Sequence, residues 1–392
     1  MSAQCSLAQA RVAVVHDWLD TWRGGESALA EVLAVLPQAD LFALVDFLPP
    51  EQRPRLLGKH AHVSFIQRFP GAARHFRAFL PLFPRAVESL DVAGYDLVVS
   101  VSHAVAKGVR THARQLHLCY CLTPMRYAWD LRETYLVSAR AERGIRRRLA
   151  DEILDRLQRW DMAATSRVDR FIAISDYIRE RIHRCYHRDA VVIHPPVDTE
   201  FFTPGAQPAR AIYVTASHWV PYKRLDLIVE AFRGLPNRRL IIAGDLRDSA
   251  SDRDIGARNV EFVGEVSRER LRELMREARA FVFTAEEDFG IAPLEAQACG
   301  TPVIAFSGGG AAETIRGLDS DVPTGVFFPA QTAAAIRSAV NTFEQNSTRI
   351  SSDACRANAL RFSPAMFRER FAAYVNAAFN DSHVARRESR TC

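Results

Sequence analysis

Residues 284–306, TAEEDFGIAPLEAQACGTPVIAF, follow the apolar run Ala280–Ala285 and set Glu287 and Glu295 eight positions apart. Phe281, Val282 and Phe283 read as a short buried strand. Gly290 and Pro293 mark a turn into a helix, and Gly300 with Pro302 closes that helix before Val303–Phe306 begins the next strand. Strand, loop, helix and strand in that order make a unit of a parallel α/β sheet. Ligands of such sheets bind beyond the carboxyl ends of strands, at the N-termini of the helices that follow. Carboxylates at the end of a buried strand lose more solvation than they regain unless something polar meets them. The backbone N–H groups of Phe289, Gly290 and Ile291 predict a donor nest beside Glu287, with Glu295 in about the first turn of the helix. A nest flanked by two carboxylates suits a polyhydroxylated ligand, whose hydroxyls both donate and accept. Acids near a helix N-terminus also merely complement the macrodipole, at about 0.3–1 kcal/mol each, so context decides.

The same grammar extends through the chain. Strands are predicted at 11–15, 41–45, 97–101, 116–122, 170–174 and 191–194, then at 211–215, 240–243, 260–263, 280–284, 302–306 and 325–328, with amphipathic helices between them. PPVDTEFFTPGAQPAR, residues 195–210, collects prolines, glycine and polar residues between two apolar runs. The expected fold class is therefore α/β, with two Rossmann-like parallel-sheet domains facing across a cleft, residues 1–200 and 201–380. The last helix, SPAMFRERFAAYVNAAF, is free to pack back on the first domain, and residues 381–392 read as a disordered polar tail.

Composition narrows the classes. The chain has 392 residues, 48% apolar and 25% charged, as in soluble globular proteins. The N-terminal residues lack a basic region followed by a long apolar run, and no window approaches the roughly 18 apolar residues that span a bilayer, so a cytoplasmic protein is expected. Seven scattered cysteines form no ligand pattern. Cys119 and Cys121 alternate along one strand and read as buried thiols. No metal site is expected. A net charge of +5 is too modest for a nucleic-acid partner. Basic residues gather twice. RFPGAARHFRAFLPLFPR, with Arg68, Arg74, Arg77 and Arg85, suits an anionic membrane edge as well as it suits a solvated face. RAERGIRRRLADEILDRLQR, Arg140 to Arg159, reads better as a solvated helix face.

Other turns carry chemistry. VVHDWLDTWRGGESALAEVL puts Gly24 and Gly25 just before a helix, where backbone can approach an anion, and FSGGGAAETI repeats the arrangement at Gly308–Gly310. In ASHWVPYKRLDLIVEAF, Lys223 and Arg224 stand at a helix start, where a lysine opposes the macrodipole unless an anion is present. A cationic pair there suggests a bound diphosphate. Neither a dinucleotide fingerprint nor a Walker A sequence occurs.

These residues carry a resemblance. Lys223, EEDFGIAPLEAQACGTPVIAF and GGGAAETI resemble the retaining GT-B glycosyltransferases of family 4, whose E-x7-E motif is matched by Glu287 and Glu295. SVSHAVAKGVR, LHLCYCLTPMRYAWDLRETYL, RVDRFIAISDYIRERI and VVIHPPVDTEFF resemble bacterial mannosyltransferases of O-antigen and exopolysaccharide synthesis. The resemblance implies a metal-independent transfer of mannose from GDP-mannose to a lipid-linked saccharide, with no cofactor, on the inner face of the plasma membrane. It assigns Glu287 to the donor sugar hydroxyls and Glu295 to the ribose. Backbone N–H groups of Phe289, Gly290, Ile291 and Ala292, together with Gly24, Gly25 and Lys223, are assigned to the diphosphate. His103 is placed against the sugar and the base near Val266. His218 stands where relatives carry arginine, with Arg224 as the compensating cation, and AGDLRD keeps only Gly244 of a Gly-x-Gly. A UDP-hexose donor, or a catalytically silent sugar-nucleotide-binding scaffold, are the alternatives.

Overall fold

Continuous β-branched and aromatic runs form the strands because both faces of each sheet are covered, which leaves no solvent side for polar alternation. The computed structural model describes residues 7–138, 143–205, 211–217, 220–244 and 257–391. The chain divides into two units, Met1–Pro195 with Phe367–Cys392, and Pro196–Met366.

The first unit holds β1 (Val12–His16), β2 (Asp40–Ala43), β3 (His62–Val63), β4 (Leu97–Ser102), β5 (Leu116–Cys121), β6 (Arg170–Ala173) and β7 (Ala190–Val192). They form one parallel sheet in the order β3-β2-β1-β4-β5-β6-β7. Every residue of β1, β4 and β5 is buried. The second unit holds β8 (Ile212–Ala216), β9 (Arg239–Ala243), β10 (Val260–Gly264), β11 (Ala278–Phe283), β12 (Val303–Phe306) and β13 (Gly325–Phe328), parallel in the order β10-β9-β8-β11-β12-β13. Six helices matter below: α1 (Gly24–Val35), α2 (Arg132–Ser138), α3 (Gly144–Ala164), α4 (Leu225–Arg233), α5 (Ile291–Ala298) and α6 (Pro364–Thr391). Two parallel-sheet Rossmann-like domains are thus the fold, as the alternation of elements implies.

All twelve expected strands form, with ends shifted by a residue or two. The additional one, β3, is two exposed residues at a sheet edge, too short to leave a periodic signal. The division falls after Pro195 and not at residue 200, because Val197 already donates its N–H to the Phe362 carbonyl of the second unit at 2.8 Å. The chain re-enters the first unit at Phe367, where the Phe367 and Phe371 rings pack edge-on against Tyr120 of β5 at 5.7 and 5.9 Å. The tail expected to be disordered continues α6 through Thr391, since no glycine or proline follows Pro364 to stop it. Cys119 and Cys121 are free and fully buried, and burial pushes the Cys121 thiol well up.

Candidate functional site

In the second sheet the strand order reverses between β8 and β11, so the loops leaving their carboxyl ends diverge at that switch point. The β8 loop carries Lys223 and Arg224, and the β11 loop carries Glu287 to Gly290. The Lys223 ammonium forms an ion pair with Glu287 Oε1, and each side chain is 19% exposed. The anion that Lys223 requires at the start of α4 is therefore supplied by the chain itself. The buried Thr284 hydroxyl ties the loops together by donating to the carbonyls of Lys223 and Arg224 at 2.8 and 3.3 Å. The Gln331 amide in turn donates to the Thr284 carbonyl at 2.7 Å. Arg224 takes a left-handed conformation, φ 51°, and its guanidinium is engaged with Asp226 at 3.3 Å. A long side chain at positive φ is uncommon and costs of order 1–3 kcal/mol, strain that concentrates at ligand clamps.

Gly290, at φ 87°, caps α5 in a left-handed conformation that favours glycine. Ile291 and Ala292 are the first two helical residues, and their N–H groups belong to the open end of the ladder. Phe289 is 3% exposed and packs edge-on against Phe362 at 5.7 Å, so its side chain serves the core. Glu295 is the fifth helical residue and lies in the second turn, later than the sequence suggests. Burial pushes its carboxyl up to about 7, with Arg268 opposing and Asp198 adding to the effect. Such a group accepts hydroxyl donors readily, because each donated bond restores its charged form.

The triple glycine also holds the glutamate loop. Gly310 donates its N–H to the Glu287 carbonyl at 2.8 Å, and a Cβ there would lie 2.5 Å from both the Asp288 carbonyl oxygen and Phe289 Cα. Gly309, at φ 72°, would meet the Glu287 carbonyl oxygen at 2.6 Å. These glycines let one backbone close on another and thereby hold the glutamate loop. Val266 lies between β10 and the helix Arg268–Glu277, half-buried against the core of this unit. His218 lies outside the described residues.

The first sheet reverses order between β1 and β4. Pairing of His16 with Val101 brings the ends of these two strands level, so Asp17 and His103 emerge side by side. Asp17 is fully buried. Its Oδ2 accepts the N–H groups of His103 and Ala104 at 2.6 and 3.0 Å, and its Oδ1 accepts those of Val105 and Ala106 at 2.5 and 2.7 Å. His103 Nδ1 lies 3.0 Å from the same Oδ2. Burial works to raise the Asp17 carboxyl, but the charge and hydrogen bonds of His103 hold it well below the usual range. For His103, burial works downward and the Asp17 charge reverses it, so its pKa is raised. Its ring is 29% exposed and sits edge-on to Trp18 at 4.5 Å.

His16 is fully buried. Its Nδ1 lies 2.9 Å from the Val101 carbonyl, and its Nε2 faces Glu26 Oε1 at 3.6 Å. Glu26 Oε2 accepts the Arg23 N–H at 2.8 Å and so closes the N-terminus of α1. Burial would raise Glu26, but His16 brings it below its ordinary value. Gly24 and Gly25 are the first residues of α1 and do not precede it, because the Arg23–Glu26 contact starts the helix at Gly24. A Cβ on Gly25 would stand 3.2 Å from Leu122 Cδ1. Asp17 and His16 are absent from the expected site, although an acid straight after a buried strand is the signal that singles out Glu287.

Residues 196–362, most of the second unit, match the family model described as Glycosyl transferases group 1. A D-inositol 3-phosphate glycosyltransferase of Mycobacteroides abscessus is 30% identical over 200 residues, 45% of this chain and 42% of that one. The chain thus spans less than half the length of the relative it matches. Among solved structures, HepE of Anabaena in complex with UDP superposes with a TM-score of 0.69 at 15% identity, over 94% of this chain and 100% of that one. Sucrose-phosphate synthase of Thermosynechococcus elongatus gives 0.70 at 18% identity, over 95% and 100%. At these identities the likeness establishes the fold, two Rossmann-like domains of the GT-B class.

Proposed function

We propose that the chain is a retaining, metal-independent glycosyltransferase that moves mannose from GDP-mannose to a hydroxyl of a lipid-linked saccharide. The observation that carries this reading is the Lys223–Glu287 pair at the switch point of the second sheet, beside the N-terminus of α5 and inside the span matched by the group 1 family model. Lys223 and the first N–H groups of α5 stabilise the charge that develops on the departing diphosphate. Glu287 accepts from the sugar hydroxyls and Glu295 from the ribose. The acceptor oxygen bonds to the anomeric carbon as the bond to phosphate oxygen breaks, and the acceptor proton passes to that departing oxygen on the same face. The step needs no glycosidase-type pair of carboxylates. His103, oriented by Asp17, offers its remaining ring nitrogen to a hydroxyl of the substrate.

A UDP-hexose is the second reading for the donor, favoured by the UDP complex of Anabaena HepE. The test is release of nucleoside diphosphate by purified protein in the presence of EDTA, across GDP-mannose, UDP-glucose and UDP-galactose. Turnover with GDP-mannose alone is expected. Turnover only with a UDP-sugar replaces the donor, and dependence on added metal removes the mechanism. Binding without turnover under any acceptor favours a silent scaffold.

A further inference from the structure

Twelve large apolar side chains are exposed among the described residues, and four of them, Tyr135, Val137, Ile145 and Leu149, lie on α2 and the first turns of α3. Ile145 at 78% and Leu149 at 62% are the most exposed of the twelve. Isolated exposed apolar residues are ordinary, whereas a concentration of them marks a surface that meets something. The helix explains the placement. Leu154, Leu157, Asp161 and Ala164 turn α3 toward the core. Ile145 precedes Leu154 by nine positions, about two and a half turns, and so points the opposite way, with Leu149 one turn along the same stripe.

Among the described residues, the charge around this stripe is compensated only in part. From Arg143 to Leu149 the sequence is RGIRRRL, without an acid. Arg147 turns toward α2 and is taken by Glu133 at 2.7 Å and Asp151 at 2.8 Å. Arg143, Arg146 and Arg148 are exposed and meet no carboxylate among the described residues. Arg146 and Arg148 lie one residue to either side of Arg147, so they flank the Ile145–Leu149 stripe on its two sides. Further along, Arg156 is neutralised by Glu152 at 2.7 Å, so the excess positive charge stays at the start of the helix. The other basic cluster differs: Phe69, Phe79, Leu80 and Leu82 are half-buried and Arg77 is held by Asp20 at 2.7 Å. Arg140 lies outside the described residues.

We propose that the start of α3, with the end of α2, is a docking edge for an anionic lipid bilayer. Ile145 and Leu149 enter the boundary between headgroups and acyl chains, and Arg143, Arg146 and Arg148 lie on the lipid phosphates. No described helix is long and apolar enough to cross a membrane, so the contact is interfacial. Four apolar side chains on two short stretches offer far less than the roughly 1,000 Å² that a stable protein interface needs, while arginines that meet no carboxylate among the described residues complement an anionic surface directly. This edge is independent of which donor, if any, the second unit accepts.

The test is flotation of the full chain with vesicles of phosphatidylcholine alone and of phosphatidylcholine with phosphatidylglycerol, at low and high salt. Binding is expected only to the anionic vesicles, weakening as salt rises. Ile145→Ser with Leu149→Ser, and separately Arg143→Glu with Arg146→Glu and Arg148→Glu, should each lower partitioning about tenfold or more, with unfolding midpoint and donor turnover unchanged. Equal binding to neutral vesicles overturns the proposal, as does unchanged partitioning of both variants. So does loss of binding only on Arg68→Glu with Arg74→Glu and Arg85→Glu, which moves the edge to the other cluster. A dimer in sedimentation that the apolar double variant dissolves also overturns it, since a second copy then covers the stripe.

Discussion

The two sheets reverse strand order at the same place, between the first and fourth strand of each unit, yet they finish it in opposite ways. In the first unit the acid is sealed: Asp17 is fully buried and held by four N–H groups and His103, whose own ring stays 29% exposed. In the second unit the acid is not sealed: Glu287 is answered by Lys223, and each side chain is 19% exposed. Topology places polar groups at a switch point, and local partners decide whether they hold the fold or remain available to a ligand.

The largest effect expected from this contrast is on turnover. Lys223→Ala and Glu287→Ala should each lower it about 10²–10³-fold with the fold intact, judged by nucleoside diphosphate release and circular dichroism. His103→Ala should cost less. An equal loss at His103 would erase the distinction between the two switch points.

Stability should show the reverse ranking. Asp17→Ala leaves four N–H groups and a raised histidine without their acceptor, so urea unfolding should reveal a loss of about 3–5 kcal/mol. Glu287→Ala removes a partly exposed pair and should cost about 1 kcal/mol or less. Between them falls Gly310→Ala, whose methyl meets backbone at 2.5 Å; about 1–3 kcal/mol is expected, with weaker donor binding because the glutamate loop must shift.

Proton linkage gives the smallest effects. The raised His103 adds stability that is complete below its ordinary 6.5 and lost as pH rises through its higher folded value. The lowered Asp17 adds stability that is present above its ordinary 3.8 and lost as pH falls through its folded value. The dyad therefore stabilises the first unit in the window between, and His103→Gln should flatten the alkaline limb of a melting profile. Glu295, raised to about 7 from an ordinary 4.5, contributes stability below 4.5 that disappears as pH rises through 7. Nucleotide binding at pH 7 should release part of its proton, read by calorimetry in buffers of different ionisation enthalpy. Glu295→Gln should abolish that release.

Strands such as Phe281–Phe283 and Gly325–Phe328 were legible because buried parallel strands need unbroken apolar runs between breakers. Glu287 and Lys223 were legible because each breaks a local rule, an acid ending a strand and a cation at a helix start. Their pairing was not, since 64 residues separate them and only the strand order joins them. Asp17 obeys the same rule as Glu287 but sits in VVHDWLD among aromatics and a second acid, where its four amide partners, some 86 residues away, have no local trace. The triple glycine was ambiguous in the sequence because close approach to protein backbone and close approach to phosphate demand the same residue.

The return of the chain at Phe367 carries a consequence for synthesis. The first sheet to leave the ribosome lacks the aromatic cover of Tyr120 until Phe367 and Phe371 have been made, after the whole second unit. The second unit, continuous from Pro196 to Met366, can complete itself first. A chain cut short after Met366 should therefore keep every residue of the second unit while leaving Tyr120 of the first without its aromatic cover.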